Sequence, residues 1–217
     1  MMTLELDHMF VAVRAGAPEI AALQAAGFQE GERNRHPGQG TASRGVFFAN
    51  GYVEFLWLED PAEAKAFPIR RTCLAQRADP GSPTLSFGFG LRPTGDVGAA
   101  LPFSTWDYRP PYLPAGTAIL MGSNSEKPTE PLIFVLPWKS GPGYECPQHP
   151  NGARRVTKVS LTIGAVEDPS PEFTTFCSLG LVQIGFGVAP LLKVEIDAGE
   201  SRNLVDLRPA VPFMIQW

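Results

Sequence analysis

The sequence predicts an α+β fold assembled from repeated β-α-β-β-β units, and three observations carry the prediction. Residues 4–60 read in order as a strand, a short helix, a polar strand and a hairpin. The helix punctuation Pro18, Gly27 and Phe28 recurs at Pro171, Gly180 and Leu181 with a single offset of 153 residues. The 22 glycines and 22 prolines lie between many short apolar runs instead of forming one block, as expected when turns close short strands.

Taken in order, residues 4–13 are apolar on both faces and read as a strand covered on both sides. Pro18 suits the first position of a helix, Ile20 and Leu23 with their neighbouring alanines make a small apolar stripe, and Gly27 suits the stop. Residues 28–33 read as a polar strand and 34–43 as a loop. Residues 44–49 and 52–59 form a hairpin across Asn50-Gly51, a signal that rests on both residues accepting positive φ. Pro61, Pro68, Pro80 and Pro83 break up the connection 61–83, which has room for one helical turn near 62–66. Residues 84–91 alternate with period two, and their glycines point to close approach by another backbone or a ligand. A short helix at 96–101 and strands near 104–109, 117–121 and 131–138 make 84–140 a middle, degenerate β-rich unit. After a loop at 141–155, the later unit 141–217 repeats a strand at 156–164 and a helix from Pro171 with Phe173, Phe176 and Leu179 on one side. Strands near 182–187, 190–197 and 203–207 complete it, with another at 211–216. Each unit alone leaves a sheet face unburied, so the units are expected to pack into one domain.

The net charge of −4 gives no general attraction for a phosphate backbone, which sets nucleic acid aside as a partner. The apolar runs fall well short of the roughly twenty residues that span a bilayer. The N-terminus shows neither a basic n-region nor an apolar h-region, so no membrane or export role is expected. Cys73, Cys146 and Cys177 are odd in number and widely spaced, which argues against a disulfide framework or a Cys-based zinc site and makes a reducing cytoplasm the default location.

The stretch 33–60 is the most informative. A basic, glycine-rich loop runs into two apolar strands, and the second carries Glu54 in an otherwise apolar run. A lone buried carboxylate costs several kcal/mol unless a cation, a metal or hydrogen-bond donors satisfy it. His8, set the same way in the first apolar run, is the nearest candidate partner. Period-two geometry puts Leu6, His8 and Phe10 on one face, and Glu54, Leu56 and Leu58 on one face of theirs. An imidazole nitrogen and a carboxylate oxygen are ordinary ligands for a first-row metal at about 2.0–2.2 Å, and His36 or His149 would close a 2-His-1-carboxylate set. The competing reading is a buried His8–Glu54 hydrogen bond with no metal. Arg33, Arg35, His36 and Arg44, with the glycine amides between them, read as a mouth for a small anion, since guanidinium groups grip carboxylate and phosphate in bidentate fashion. A solvated loop with ordinary surface arginines is the alternative. His149 and Asn151 shape a turn or cap the cavity, and Trp57, Trp106 and Trp138 read as core or cavity wall. No Ser-His-Asp order, phosphate-cradling loop or Cys-x-x-Cys supports a hydrolase, kinase or redox reading.

Four groups of residues carry a resemblance to a known family. They are Leu6-Asp7-His8 on the first strand, Ala26-Gly27-Phe28 at the helix end, the loop Arg35-His36-Pro37-Gly38-Gln39-Gly40-Thr41, and Tyr52-Val53-Glu54-Phe55-Leu56, with a weaker echo in residues 149–153. Together they resemble the vicinal oxygen chelate superfamily and, within it, the glyoxalase-like proteins. The resemblance implies paired β-α-β-β-β modules curled into a cup-shaped sheet whose floor binds a divalent metal. It places His8 and Glu54 at the positions of metal ligands. Glu54 can alternatively serve as the catalytic base beside His8, as a buried carboxylate can be tuned to do, and the candidate substrate contacts are His36, Arg35, Thr41, Arg44 and Trp57. The metal would be zinc, manganese, nickel or iron. The sequence departs from the pattern where the partner module should add ligands: Lys158 stands there in the later unit, and Ser86 or Phe87 in the middle one. The loop also continues Thr41-Ala42-Ser43 where relatives carry Asn.

Two functions of different class follow. One is a metal-dependent lyase, isomerase or dioxygenase acting on a small, anionic molecule in the cup. The other is a metal-free protein that binds or sequesters such a molecule, a reading that Lys158 favours. Open strand edges on such a cup would suit a homodimer.

Overall fold

The longest strand, β1 (Thr3–Ala12), runs through the middle of the molecule and pairs on both sides. The computed structural model describes residues 2–79, 81–94, 100–138 and 146–217. After β1 come α1 (Ile20–Ala25), β2 (Asn34–His36), β3 (Thr41–Phe48) and β4 (Gly51–Leu58). Next are α2 (Pro61–Lys65), a 3-10 turn at Ile69–Thr72, and α3 (Leu74–Arg77). The middle unit holds β5 (Phe87–Thr94), β6 (Thr105–Tyr108), β7 (Ile119–Gly122) and β8 (Leu132–Val135). The later unit holds β9 (Val156–Ile163), α4 (Pro171–Ser178), β10 (Gln183–Phe186), β11 (Leu191–Ile196), β12 (Leu204–Asp206) and β13 (Phe213–Gln216).

Eight strands form one mixed sheet in the order β2-β3-β4-β1-β5-β8-β7-β6, curled into a half-barrel. β1 is parallel to β4, β5 is parallel to β8, and β1 and β5 meet antiparallel at the seam. The first and middle units therefore face each other across β1–β5 in one repeated order. The later unit is a separate sheet, β10-β9-β11-β13-β12. It departs from the expected single module: β10 returns parallel to β9, and β11, instead of following β10, lies antiparallel on the other side of β9 and parallel to β13.

Alternation sorts the apolar residues into two clusters. On the convex face Met9, Val11, Phe55 and Phe89 join Leu161, Val194 and Phe213 of the second sheet, with Ile20 of α1 and Phe176 of α4. Fully burying each such side chain is worth about 1.5–3 kcal/mol. On the concave face Phe10, Leu56, Met121, Leu132 and Phe134 meet Ile69 and Leu74 of the connection. The connection, expected to hold one helical turn, folds as three and closes one side of the cup.

Several local expectations are corrected. Residues 28–33 make only the bridge Glu30–Val46, while the predicted loop contributes β2. The 44–59 hairpin forms with Ala49 and Asn50 as its loop, and neither Asn50 nor Gly51 has positive φ. Instead the Asn50 amide pairs both ways with the Val156 backbone at 2.9 Å, and a Cβ on Gly51 would lie 2.8 Å from the Asp7 carbonyl oxygen. The helix expected at 96–101 falls largely outside the described residues.

Two buried charges hold the units together. The Arg77 guanidinium, 1 % exposed, donates to the carbonyls of Thr72, Leu85, Glu130 and Lys127 at 2.9–3.2 Å. Burial pulls its pKa down to about 10, which leaves it charged at neutral pH. The Glu130 carboxylate accepts from Asn124 Nδ2 at 2.8 Å, and from the Ser170 amide and hydroxyl at 2.7 and 2.6 Å. Ser170 is also the N-cap of α4, its Oγ accepting from the Phe173 amide at 3.0 Å, so an anion sits where the helix terminus favours one. Arg77→Ala strands several buried carbonyls and should lower the unfolding free energy by about 3 kcal/mol or more, measured by chemical denaturation. Arg77→Lys, with a single donor head, should recover only part of it.

Candidate active site

A β-bulge places the first functional side chain. On β1, Leu6 pairs with Leu91 and His8 with Gly90, so Asp7 is the extra residue. Bulges of this kind re-aim side chains beside functional sites. Here the phase of the alternation changes: Leu4 and Leu6 pack with Met9 and Val11 on the convex side, while His8 and Phe10 point into the cup. The expectation that Leu6 shares a face with His8 is thereby corrected.

Glycines on β5 make room for those rings. A Cβ on Gly90 would sit 2.5 Å from His8 Cε1 and 2.7 Å from Nδ1, and one on Gly88 would sit 2.1 Å from the Phe10 ring. The neighbours that crowd these positions are thus side chains, His8 and Phe10 of β1 with Phe134 of β8. The inward positions of the partner half are Gly88 and Gly90 on β5, Leu132 and Phe134 on β8, and Ile119 and Met121 on β7. Among the described residues that half lines the cavity with no His, Cys, Asp or Glu. Phe87 packs in the convex core, and Lys158 is exposed in the second sheet, paired in register with Glu195.

His8 is oriented from behind. Its Nδ1 lies 2.8 Å from Asp7 Oδ1, and Asp7 Oδ2 lies 3.0 Å from Arg92, which also holds Glu5. Burial pushes the Asp7 carboxyl up, but hydrogen bonds and charge from His8 and Arg92 outweigh it and hold it below the ordinary range. An ionised Asp7 can only accept, so His8 donates to it from Nδ1 and turns Nε2 to the cavity. The ring stacks on Tyr52 with centroids 4.4 Å apart and meets the edge of Phe134.

Glu54 rises from β4 between two imidazoles. His8 Nε2 stands 3.9 Å from Glu54 Oε2, and His36 Nε2 stands 3.8 Å from Oε1. His36 comes from β2 at the edge of the same module, its Nδ1 3.0 Å from Thr41 Oγ1. The Thr41 hydroxyl in turn accepts from Gln39 Nε2 at 2.8 Å, and the Tyr112 hydroxyl donates to Gln39 Oε1 at 2.8 Å. Burial, with His8 opposing and Glu54 and Glu59 favouring the charged form, leaves the His36 pKa below its ordinary value. The cluster closes one end of a cavity of ≈ 130 Å³ whose remaining wall is apolar, including Leu74, Met121, Leu132 and Leu136, with Trp138 at the rim.

The structure brings His8, Glu54, His36 and Thr41 together and separates the others. Arg35 and Arg33 pair with Glu59 outside the cup. Arg44 is bound by Glu30 and by the carbonyls of Gly16 and Ala17. Trp57 lies in the convex core beneath Arg33, 5.0 Å from its guanidinium. The loop amides of Gly38 and Gly40 donate to Glu63, at 2.8 and 3.1 Å. Gly40 has φ +73, and a Cβ there would come 2.2 Å from the Asp60 carbonyl oxygen. The expected anion mouth of Arg35, Arg44 and glycine amides is therefore occupied by the chain's own carboxylates. His149 is a strut away from the cup: its Nδ1 accepts from the Gln29 amide and its Nε2 donates to the Phe47 carbonyl, both at 2.9 Å. Sequence reasoning missed Asp7, Gln39 and Tyr112 as members of the cluster; the first two stand beside or inside the quoted motifs, and nothing local marks Tyr112.

The three donors suit a divalent metal in kind. Each imidazole has its Nδ1 held by an oxygen, the usual arrangement behind a metal-binding histidine. Their Nε2–O spacing exceeds the roughly 3.3–3.4 Å between ligands of a closed tetrahedral ion. Among the described residues no three His, Cys, Asp or Glu side chains stand in such a closed arrangement.

Residues 6–100 match a family model described as a glyoxalase-like domain, a span that includes His8, His36 and Glu54. A solved structure, titled as a hypothetical protein from Staphylococcus aureus, shares the fold with a TM-score of 0.55 and 11 % identity, covering 98 % of this chain and 99 % of that one. Comparison with curated proteins gave no match.

Gly90→Ala should displace His8 and cost about 1–3 kcal/mol through overpacking, against a near-neutral Gly164→Ala, whose Cβ meets nothing within 4 Å; denaturation curves and the His8 ring resonances check this. Burial lowers the pKa of both His36 and His149, so around and below about pH 6.5 the folded chain binds fewer protons than the unfolded one. Stability should be full above that pH and fall as pH drops, and His149→Gln should flatten the fall seen in denaturation midpoints.

Proposed function

We propose that this chain, a glyoxalase-like protein of the vicinal oxygen chelate type, is an enzyme that binds a small molecule in its cup and acts on the end of it that reaches Glu54. The observation behind this reading is that two imidazole Nε2 atoms address opposite oxygens of one buried carboxylate at the closed end of an apolar cavity. A carboxylate in reach of a bound head group takes and returns a proton, and imidazoles beside it absorb the change of charge. Asp7 keeps His8 in one tautomer and one orientation throughout. Leu132, Phe134 and Met121 exclude water and hold the body of the molecule. A divalent ion seated by His8, His36 and Glu54 would add Lewis-acid stabilisation of negative charge on substrate oxygens. The unpaired Cys73, Cys146 and Cys177 support a cytoplasmic setting. No helix among the described residues is long and apolar enough to cross a membrane.

The second reading, a metal-free binding protein, is favoured by the wide spacing of the three donors and by the ligand-free partner half. Metal content separates the two. The protein is purified without chelator or nickel affinity, dialysed against zinc, manganese, nickel or iron(II), and analysed by plasma mass spectrometry. Near-stoichiometric metal, lost in His8→Ala, His36→Ala and Glu54→Ala alike, is the result expected of the enzyme with a seated ion. Absence of uptake from all four would leave the metal-free reading.

A further inference from the structure

We propose that β10 is the seam of a homodimer, in which the open edge of the second sheet pairs antiparallel with the same strand of a second copy across a two-fold axis. The proposal is independent of the cup and of what the cup binds.

The backbone of β10 has one side unused. The strand ends its sheet and pairs with β9 alone, in parallel. The Gly187 amide donates to the Ile163 carbonyl at 2.9 Å. Bonding residues alternate along a parallel ladder, so Gln183, Gly185 and Gly187 turn their backbone groups to β9, and Ile184 and Phe186 turn theirs outward. Among the described residues no strand covers that side.

The edge also lacks the devices that keep strands apart. Natural edges are blunted by charged side chains, prolines or bulges. The other sheet edges carry charge: Arg35 on β2, Asp107 on β6 and Asp206 on β12. Residues 177–192 carry none, and β10 contains no proline. Phe186 on the strand and Val188 just beyond it are 67 % and 106 % exposed. An uncharged edge that presents a phenylalanine to water is one the fold leaves to be paired.

Self-complementarity selects a second copy as the occupant. With the axis at Gly185, Ile184 of each copy lies opposite Phe186 of the other, and their outward N–H and C=O groups exchange hydrogen bonds in two equivalent pairs. Opposite residues of an antiparallel pair share a face. Ile184 and Phe186 stand on the face of Leu161 and Ile163, which is the face packed in the core. The exposed Phe186 ring of each copy therefore covers the half-buried Ile184 of the other and carries the core across the seam. Gly185 and Gly187 leave the opposite face free of bulk, and the uncharged strand meets itself with no like-charge contact. A seam of one strand pair is small, so the association it gives is weak and concentration-dependent.

The test uses the full chain. Sedimentation velocity over a wide range of concentration is expected to show a reversible monomer–dimer equilibrium. Phe186→Lys, at an exposed position, should weaken it about tenfold or more and leave the denaturation midpoint unchanged. Gly185→Cys tests the register. A Cβ at Gly185 meets nothing nearer than Thr162 Oγ1 at 4.0 Å. At the axis two such residues form a non-hydrogen-bonded pair with Cα atoms about 4.5 Å apart, within the range a disulfide spans. With the exposed Cys146 replaced by serine, Gly185→Cys should oxidise to a covalent dimer much faster than Gly164→Cys, whose Cβ also has open space. A chain that stays monomeric at every concentration overturns the proposal and leaves the edge to a strand of another protein. A dimer indifferent to Phe186→Lys overturns it, and so does a Gly185→Cys chain that cross-links no faster than Gly164→Cys.

Discussion

The antiparallel seam between β1 and β5 is the constraint on which the site depends. It joins the two modules, and its inward positions on β5 are glycines, so the β1 rings can lie flat against the neighbouring backbone. A side chain there would evict His8. The bulge at Asp7 adds the second half of the device: one extra residue turns His8 inward and leaves the Asp7 carboxylate beside its Nδ1. Orientation of the imidazole, its tautomer and its access to Glu54 all follow from one irregularity in one strand pair.

Charge is handled the same way throughout the molecule. Asp7, Arg77, Arg92 and Glu130 are almost wholly buried, and each is tied by charge or by several hydrogen bonds, as burial of a charge requires. The loop before β3 repeats the rule at the surface, with Glu30, Glu59 and Glu63 answering its arginines and amides. Glu54 stands apart. Its oxygens face two imidazoles at distances too long for hydrogen bonds. A buried carboxylate between two imidazoles at the closed end of an apolar cavity marks a place prepared for something that binds.

Much of this was legible in the sequence. His8 and Glu54 stood out because each interrupts an apolar strand, and strand alternation put them on facing surfaces. The quoted loop motif brought in His36 and Thr41. The arginines misled because composition shows cations without showing the acids that fold back on them: Glu59 and Glu63 lie some twenty residues downstream of the loop they neutralise. Trp57 misled for a simpler reason, since odd and even positions of β4 face opposite ways and Trp57 shares its face with Val53 and Phe55, not with Glu54. Tyr112 arrives from the middle unit by a tertiary contact that no local pattern encodes. The Asn50-Gly51 hairpin was found for the wrong reason, as its residues are needed for contacts to Val156 and Asp7 and not for their φ angles.

The central claim is that Glu54 and the two imidazoles behave as one electrostatic unit in a shared cavity. The Glu54 charge favours the protonated form of His36 against the burial that opposes it. Titration of the His36 Cε1 proton by NMR, in the native chain and in Glu54→Gln, tests this directly. The account predicts that His36 titrates at lower pH once the carboxylate is gone. A His36 titration that does not move would mean that the carboxylate and the imidazole do not share a site.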